Sequence, residues 1–309
     1  MRQTGLKLSI HPSGVLVLLT VLILGACSGD ADGRADGDGT GSEAPQSGPV
    51  ESVVASASEV ESLTRDVDLA IALAYVRRRF GDVDDLEWVE GLDWAEEYVD
   101  RTVETLMESD SSGDTDGSSG EDTALLRVFL PLLVEDPPVP PEVPSEVLLS
   151  DGSIDTNAMV AAALWCNEVP LPADYSDELL VVAEAGGYEL THALGSLQFL
   201  VERECIEPDE AATLADELAG RTATLLEGDG LGDLELEACA LLAWSGHDDL
   251  LPEDLDDRVE AAYLDEGGWP EIAGGGTPDP HATVWGLRCA LELAHGDELP
   301  ATTWIVSAS

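Results

Sequence analysis

Hydrophobic and polar positions divide the second half of the chain into helical segments of two alternating kinds. Segments of the first kind are rich in alanine, glycine, leucine and cysteine on every side, which is typical of helices buried in a protein interior. Segments of the second kind carry acidic residues on one face, which is typical of helices at a protein surface. The pattern predicts inner helices at 156–166, 191–203, 234–244 and 281–295, and outer helices at 176–185, 208–226 and 252–263.

This alternation repeats along residues 151–309. Successive inner helices begin about 35 to 47 residues apart, which is the length of one helical hairpin. A single hairpin cannot bury its apolar helix alone, so neighbouring hairpins must stack side by side. The sequence therefore predicts an all-α fold, either an alpha/alpha toroid or a partial ring of helical hairpins, in which the inner helices face the centre.

Residues 59–150 are predicted to form further helices with a weaker pattern. Apolar residues recur at helical spacing within 60–80 and 94–107, and the first of these helices ends in three arginines, which suit the negative end of a helix dipole. Serine, glycine and aspartate dominate 109–122, which predicts a disordered insertion. The proline-rich stretch 136–145 cannot be helical and is predicted to form an extended strap.

The first 26 residues have the pattern of a signal peptide, with a basic head and an apolar run too short to span a bilayer comfortably. The run ends in Leu24-Gly25-Ala26-Cys27, which resembles the bacterial lipobox. The resemblance implies that Cys27 becomes the lipidated first residue of the mature protein. We therefore expect a protein of the cell envelope, lipid-anchored to the membrane on its extracytoplasmic side, with an ordinary secreted protein as the alternative.

Acidic residues dominate the composition, with 64 Asp and Glu against 13 Lys and Arg and a formal net charge of -51. Such a surface repels nucleic acid, which we exclude as a partner. Residues 27–58 combine acidic residues with glycine and serine and have almost nothing apolar to bury. This segment is therefore predicted to be a disordered tether between the membrane and the folded part of the chain.

Four cysteines remain besides Cys27, an even number in a compartment where disulfides persist. Four cysteines allow three pairings. Cys166 and Cys205 lie at or just past the ends of two successive inner helices, and Cys239 and Cys289 lie within the next two. Parallel inner helices would hold these partners at similar heights, which favours Cys166 with Cys205 and Cys239 with Cys289. Free buried cysteines, acting as small apolar residues, are the alternative.

A candidate pocket rim follows from the same geometry, because parallel inner helices begin at one end of the ring. The side chains expected there are Tyr188, His192, Glu237, Trp269, His281 and Trp285. The positive ends of the helix dipoles at this rim favour an anionic ligand. The alternative is that these residues hold the turns together and pack the core of the ring.

The turn Gly267-Gly268-Trp269-Pro270 before an inner helix resembles the repeat of the prenyltransferase and terpenoid cyclase superfamily, whose fold is an alpha/alpha toroid. Two further segments look like zinc-binding segments of protein prenyltransferase beta subunits. They imply a catalytic zinc ion held by Glu237, Cys239 and His281, although glutamate stands where that family has aspartate. A disulfide at Cys239 would remove one of these ligands.

The sequence favours a non-catalytic binding or scaffold module, anchored by its lipid and bound to an envelope protein or a small ligand, with no cofactor. No phosphate-binding loop or nucleophile elbow is present. The alternative is a toroid-fold enzyme of the terpenoid cyclase, prenyltransferase or polysaccharide lyase type, with or without zinc.

Overall fold

The computed structural model describes residues 49–57, 63–83, 92–108, 126–140, 143–144, 147 and 154–306. The predicted signal peptide, Cys27 and the insertion at 109–122 lie outside these residues. Within them the protein is all-α, and it has two isolated β-bridges but no β-strand. None of the helices in the described ranges has the length and apolar character needed to cross a bilayer.

Ten α-helices make up the described part of the fold. They are α1 (Pro49–Ala57), α2 (Leu63–Phe80), α3 (Asp93–Glu108), α4 (Thr156–Leu164), α5 (Tyr175–Ala183), α6 (Gly187–Glu202), α7 (Pro208–Ala223), α8 (Asp233–Trp244), α9 (Leu255–Ala262) and α10 (Pro280–His295). Short 3₁₀ helices cover Arg127–Leu132, Thr224–Glu227, Asp248–Leu250 and Gly296–Glu298. The helices predicted from periodicity are all present, with ends shifted by a few residues.

Two of the inner helices begin at aspartate caps. The Asp155 carboxylate accepts the backbone N–H of Ala158 at the start of α4. At α10 the Asp279 carboxylate accepts the N–H groups of His281 and Ala282, and Pro280 has no N–H that would need a partner. These caps satisfy N–H groups that have no partner inside the helix, and so they fix where α4 and α10 start.

The predicted tether ends earlier than expected, since Pro49–Ala57 near its end form α1. Val50, Val53 and Val54 follow the spacing of one helical face and are buried, and α1 packs against α2 and α10. Assigning these residues to a disordered tether was wrong, because three valines on one face provide enough apolar surface to dock a short helix.

The predicted strap at 136–145 has no helix at its described positions, as its prolines require, and Pro140 is buried. The apolar residues just before it form the 3₁₀ helix Arg127–Leu132, which buries Phe129, Leu130 and Leu132. Pro131 lies inside this element and lacks the N–H that a longer α-helix would require.

The inner helices contact one another in cyclic order. Helices α4, α6, α8 and α10 pack in succession, and α10 packs against α2. The 3₁₀ helix Arg127–Leu132 contacts both α2 and α4 and so completes the circuit. On the outside, α3 packs on α2, α5 on α6, α7 on α6 and α8, and α9 on α10. The pair α2 and α3 thus adds a fifth inner helix and its outer partner to the four inner helices that the strong sequence pattern revealed.

Two disulfides join neighbouring inner helices or the segments that follow them. They link Cys166 to Cys205 and Cys239 to Cys289, which confirms the predicted pairing. Cys239 and Cys289 are fully buried between α8 and α10. The first bond is partly exposed and closes the end of the α4 and α6 pair.

The C-terminal segment folds back under the ring. The Glu202 carboxylate at the end of α6 accepts the backbone N–H groups of Trp304 and Ile305, each at 2.9 Å. Arg78 near the end of α2 donates to the Trp304 carbonyl at 2.7 Å, and the Val306 N–H reaches the Pro131 carbonyl at 2.9 Å. The segment from Trp304 to Val306 is therefore held by three elements, α6, α2 and the 3₁₀ helix Arg127–Leu132.

Trp304 meets a buried arginine. The Arg288 guanidinium on α10 lies 4.3 Å from the Trp304 ring and 4.2 Å from the Tyr75 ring, with Trp285 and Trp244 at 5.2 and 5.7 Å. Arg288 is fully buried, and its guanidinium nitrogens have no hydrogen-bond partner within the described ranges. Burial lowers the pKa of Arg288. Aromatic faces and the nearby Glu292 carboxylate together stabilise this buried cation.

Candidate functional site

A cavity of about 80 Å³ lies at the centre of the ring. Its wall takes residues from α2, the 3₁₀ helix Arg127–Leu132, α4, α6, α8, α10 and the C-terminal segment. The polar lining residues lie in the first two turns of their helices: Asp68, Thr191, His192, Glu237 and His281. The rest of the wall is apolar and includes Phe129, Phe199, Leu241, Trp285 and Trp304. The cavity therefore has a polar end and an apolar end.

A chain of hydrogen bonds crosses three inner helices beside the polar end. The Tyr188 hydroxyl on α6 donates to the Asp233 carboxylate at 2.6 Å. His281 Nδ1–H donates a hydrogen bond to the same carboxylate, with its nitrogen 2.8 and 2.9 Å from the two oxygens. On the opposite side of the His281 imidazole, Trp285 Nε1–H donates to His281 Nε2 at 3.1 Å. Both nitrogens of the His281 imidazole are therefore engaged.

Asp233 controls the protonation of its two partners. Burial alone would lower the pKa of His281, but the Asp233 charge and its hydrogen bond outweigh burial and raise that pKa to about 9. Burial and Asp233 together raise the pKa of Tyr188 far above its ordinary value, so its hydroxyl stays a donor. The Trp285 N–H can be donated only to a neutral ring, so protonation of His281 costs that hydrogen bond.

We expect stability to decline as the pH rises from 6.5 through about 9, because His281 binds its proton more tightly in the folded state than in the unfolded state. The contribution is full below pH 6.5 and amounts to roughly 3 kcal/mol at most. Thermal unfolding of the natural chain and of His281→Gln across this pH range measures it. The difference between the two should shrink as pH rises. A stability difference that stays constant with pH would mean that the His281 imidazole is neutral throughout and keeps its hydrogen bond from Trp285.

Glu237 is the least satisfied polar group of the site. It is 2 % exposed, and among the described residues none donates a hydrogen bond to Oε2. Its other oxygen lies 3.8 Å from His192 Nδ1, whose proton goes to the Tyr188 carbonyl at 2.6 Å. Burial raises the pKa of Glu237, with the nearby histidines opposing the shift. The carboxyl group therefore faces the cavity with hydrogen-bonding capacity that the described protein leaves unused.

The expected preference for an anion at this rim does not fit the side chains found there. The helix N-termini already face the carboxylates of Asp233 and Glu237, and Asp68 lies on the same side of the cavity. Helix dipoles are weak beside full negative charges at this distance. The rim as built favours a neutral or cationic ligand.

Four of the predicted rim residues besides Glu237 lie together at the site: Tyr188, His192, His281 and Trp285. Trp269 does not. It is fully buried between α9 and α10, where its indole N–H donates to the Val259 carbonyl at 2.9 Å and its ring contacts Tyr263 edge-on. Its inclusion in the rim was wrong, because the Gly267-Gly268 turn directs the side chain to the outer face of α10.

The predicted zinc site loses one of its three ligands. Cys239 is bonded to Cys289, so it has no thiolate to offer. Glu237 and His281 both line the cavity, but no cluster of three potential ligands suited to a metal occurs in the described part of the chain. The residues present therefore do not fit the zinc site that the resemblance implied.

Three important residues escaped the sequence analysis. Asp233 was not distinguished from the other 63 acidic residues, although its place in the first turn of an inner helix was a usable signal. Asp68 belongs to α2, whose place in the ring was not apparent. Trp304 was overlooked, although a lone tryptophan in a polar terminal segment indicates an anchor.

A second, larger depression of about 860 Å³ lies where α5, α6 and α7 meet, beside Cys205. Its acidic residues Glu204, Glu207 and Glu210 are exposed to solvent. The central cavity is the better candidate site, because its polar groups are buried and converge from several helices.

None of the protein-family models, curated proteins or solved structures compared with this chain matches it, so its resemblance to toroid enzymes and to bacterial lipoproteins stays a prediction from the sequence.

Proposed function

We propose that this protein is a lipid-anchored, extracytoplasmic helical-repeat module that binds a small ligand in its central cavity without chemically changing it. The observation that carries the proposal is the cavity itself, to which every inner helix contributes and in which Glu237 keeps an unpartnered oxygen among the described residues. A cavity of about 80 Å³ suits a ligand of a few non-hydrogen atoms.

The hydrogen bonds of the site support binding rather than catalysis. A general base needs a nitrogen or oxygen that can reach the substrate proton. His281 is a poor base near neutral pH, because its Nδ1–H is held by the Asp233 carboxylate and its pKa of about 9 keeps the ring protonated. The zinc-dependent form of the toroid-enzyme alternative lacks the Cys239 thiolate.

Two features support the proposed location. Disulfides form and persist mainly in oxidising compartments, and this fold has two of them, one fully buried. The lipobox-like ending at Cys27 provides the anchor, and the acidic composition argues for envelope partners or small ligands rather than nucleic acid. Labelling with an alkyne fatty acid that is lost in Cys27→Ser, but kept in Ser28→Ala, tests the anchor.

Filling the cavity tests the binding function. Gly195 lines the cavity, and a side chain at this position would meet open space. Gly195→Leu is therefore expected to fold while it blocks the cavity, and Gly220→Leu on the exposed side of α7 is the matched control. A thermal-shift screen of small cationic, neutral and anionic compounds should give ligands that stabilise the natural chain and the control but not Gly195→Leu. Ligands that stabilise all three proteins equally would contradict the proposal.

A further inference from the structure

The central cavity has a defined chemical character. Its lining includes two carboxylates, Glu237 and Asp68, and two histidines, with no lysine or arginine among the residues described there. Arg288 lies nearby but is enclosed by aromatic rings and does not line the cavity. The His281 ring is paired with Asp233, and His192 gives its Nδ1 proton to a carbonyl. The cavity therefore presents the buried Glu237 carboxyl group with no lysine or arginine beside it among the described residues.

Glu237 determines where a ligand in the cavity would donate a hydrogen bond. Its carboxyl group lies on the second turn of α8 and is almost completely removed from solvent. A buried carboxylate oxygen normally has a hydrogen-bond donor, and none of the described residues provides one to Oε2. A ligand with an N–H group in the cavity would supply the missing donor, and a positively charged N–H group would also favour the ionised carboxylate over the neutral form that burial favours.

The rest of the cavity limits what such a cation can be. Hard metal ions take six or more oxygen ligands, whereas most of this wall is hydrocarbon from Ile71, Phe129, Val160 and Leu241. Apolar walls instead favour a ligand with a short hydrocarbon body. The volume of about 80 Å³ limits that body to a few carbon atoms.

We propose that the cavity binds a small primary alkylammonium ion, with its ammonium group on Glu237 Oε2 and its short alkyl chain toward Phe199 and Leu241. This inference rests on the proposed function and names the class of ligand. The ammonium group supplies a hydrogen-bond donor to Glu237 Oε2 and a positive charge that favours the ionised form of this carboxyl group. The net charge of -51 raises the local concentration of such cations around the protein.

Titration calorimetry of the full chain with n-butylammonium tests the proposal, with n-butanol as the neutral analogue of the same size and butyrate as the anion. We expect butylammonium to bind at least about ten-fold more tightly than butanol, because a charge-assisted hydrogen bond is lost with the charge. Glu237→Gln should remove this preference. Glu260→Gln, which removes an exposed charge from α9, should leave it unchanged.

The possible results separate this inference from the function on which it rests. If butanol binds as tightly as butylammonium, and Gly195→Leu abolishes both, the cavity binds ligands but the inference of a cation is wrong. If Glu237→Gln and Glu260→Gln lose the same affinity, the preference reflects overall charge and the assignment to Glu237 is overturned. If no compound shows binding that depends on Gly195, the proposed function fails as well.

Discussion

Trp304→Ala is expected to lower the free energy of unfolding by about 3 to 5 kcal/mol, the range for removing a large buried aromatic side chain. Trp304 is 5 % exposed and packs against Tyr75, Phe199, Trp244 and Trp285. Its loss would also remove one of the two nearest aromatic faces from the Arg288 guanidinium. A buried cation without that stabilisation adds to the cost of the empty space. Chemical denaturation measures the effect.

A double-mutant cycle separates packing from charge. Arg288→Met keeps most of the side-chain volume and removes the cation. If Trp304 stabilises Arg288 directly, the double variant should lose roughly 1 to 2 kcal/mol less than the two single variants together. Thr302→Ala, in the same segment, is the control, since its hydroxyl makes a long hydrogen bond of 3.4 Å to the neighbouring Pro300 carbonyl. Strict additivity would mean that Trp304 acts through packing alone.

Gly286→Ala should be the second strongly destabilising change, although alanine is the better helix former. Gly286 lies within α10, and a Cβ atom placed there would come within 2.4 Å of the buried Trp269 ring. The indole cannot move aside easily, because its N–H is held by the Val259 carbonyl and its ring contacts Tyr263. Overpacking of this kind costs about 1 to 3 kcal/mol and sometimes more.

Gly220→Ala provides the matched comparison. Gly220 also lies inside a helix, α7, but it is exposed, and a Cβ atom there meets nothing within 4 Å. Its replacement should stabilise the protein by roughly 0.5 to 1 kcal/mol, because alanine loses less backbone entropy in a helix. Unfolding curves of the two variants should therefore shift in opposite directions. Equal shifts of the two unfolding curves would show that the Trp269 ring can move away from a new Cβ atom at position 286 without loss of stability.

The alternation of inner and outer helices was predictable because the two environments select different residues. Inner helices touch neighbours on all sides and need small apolar residues, whereas outer helices keep an acidic face in water. The disulfide pairing followed from the same pattern, since parallel neighbours bring Cys239 and Cys289 to one height. These features depend on local composition and on contacts between consecutive units, both of which leave a periodic signal.

Contacts between distant parts of the chain left no such signal. The Tyr75 hydroxyl donates to the Glu292 carboxylate across 217 positions, and nothing in either local sequence indicates the partner. The direction of Trp269 was also unpredictable, because a glycine pair allows several backbone paths and only tertiary packing selects one. The sequence therefore predicted the part of the candidate site that lies on α6, α8 and α10. It did not predict the part that α2 and the C-terminal segment contribute.

The hydrogen bond between Arg78 and the Trp304 carbonyl joins residues 226 positions apart, and this has a consequence for the order of folding. Because the chain is synthesised and, on the proposed location, also exported from its N-terminal end, α2 is free to fold long before the segment that covers its C-terminal end arrives. The early helices can pair with their neighbours, but Tyr75 has to wait for the last few residues of the fold. Such distant contacts slow folding. Docking of Trp304 should therefore be a late step, and until it occurs the nascent ring exposes aromatic surface to chaperones and proteases.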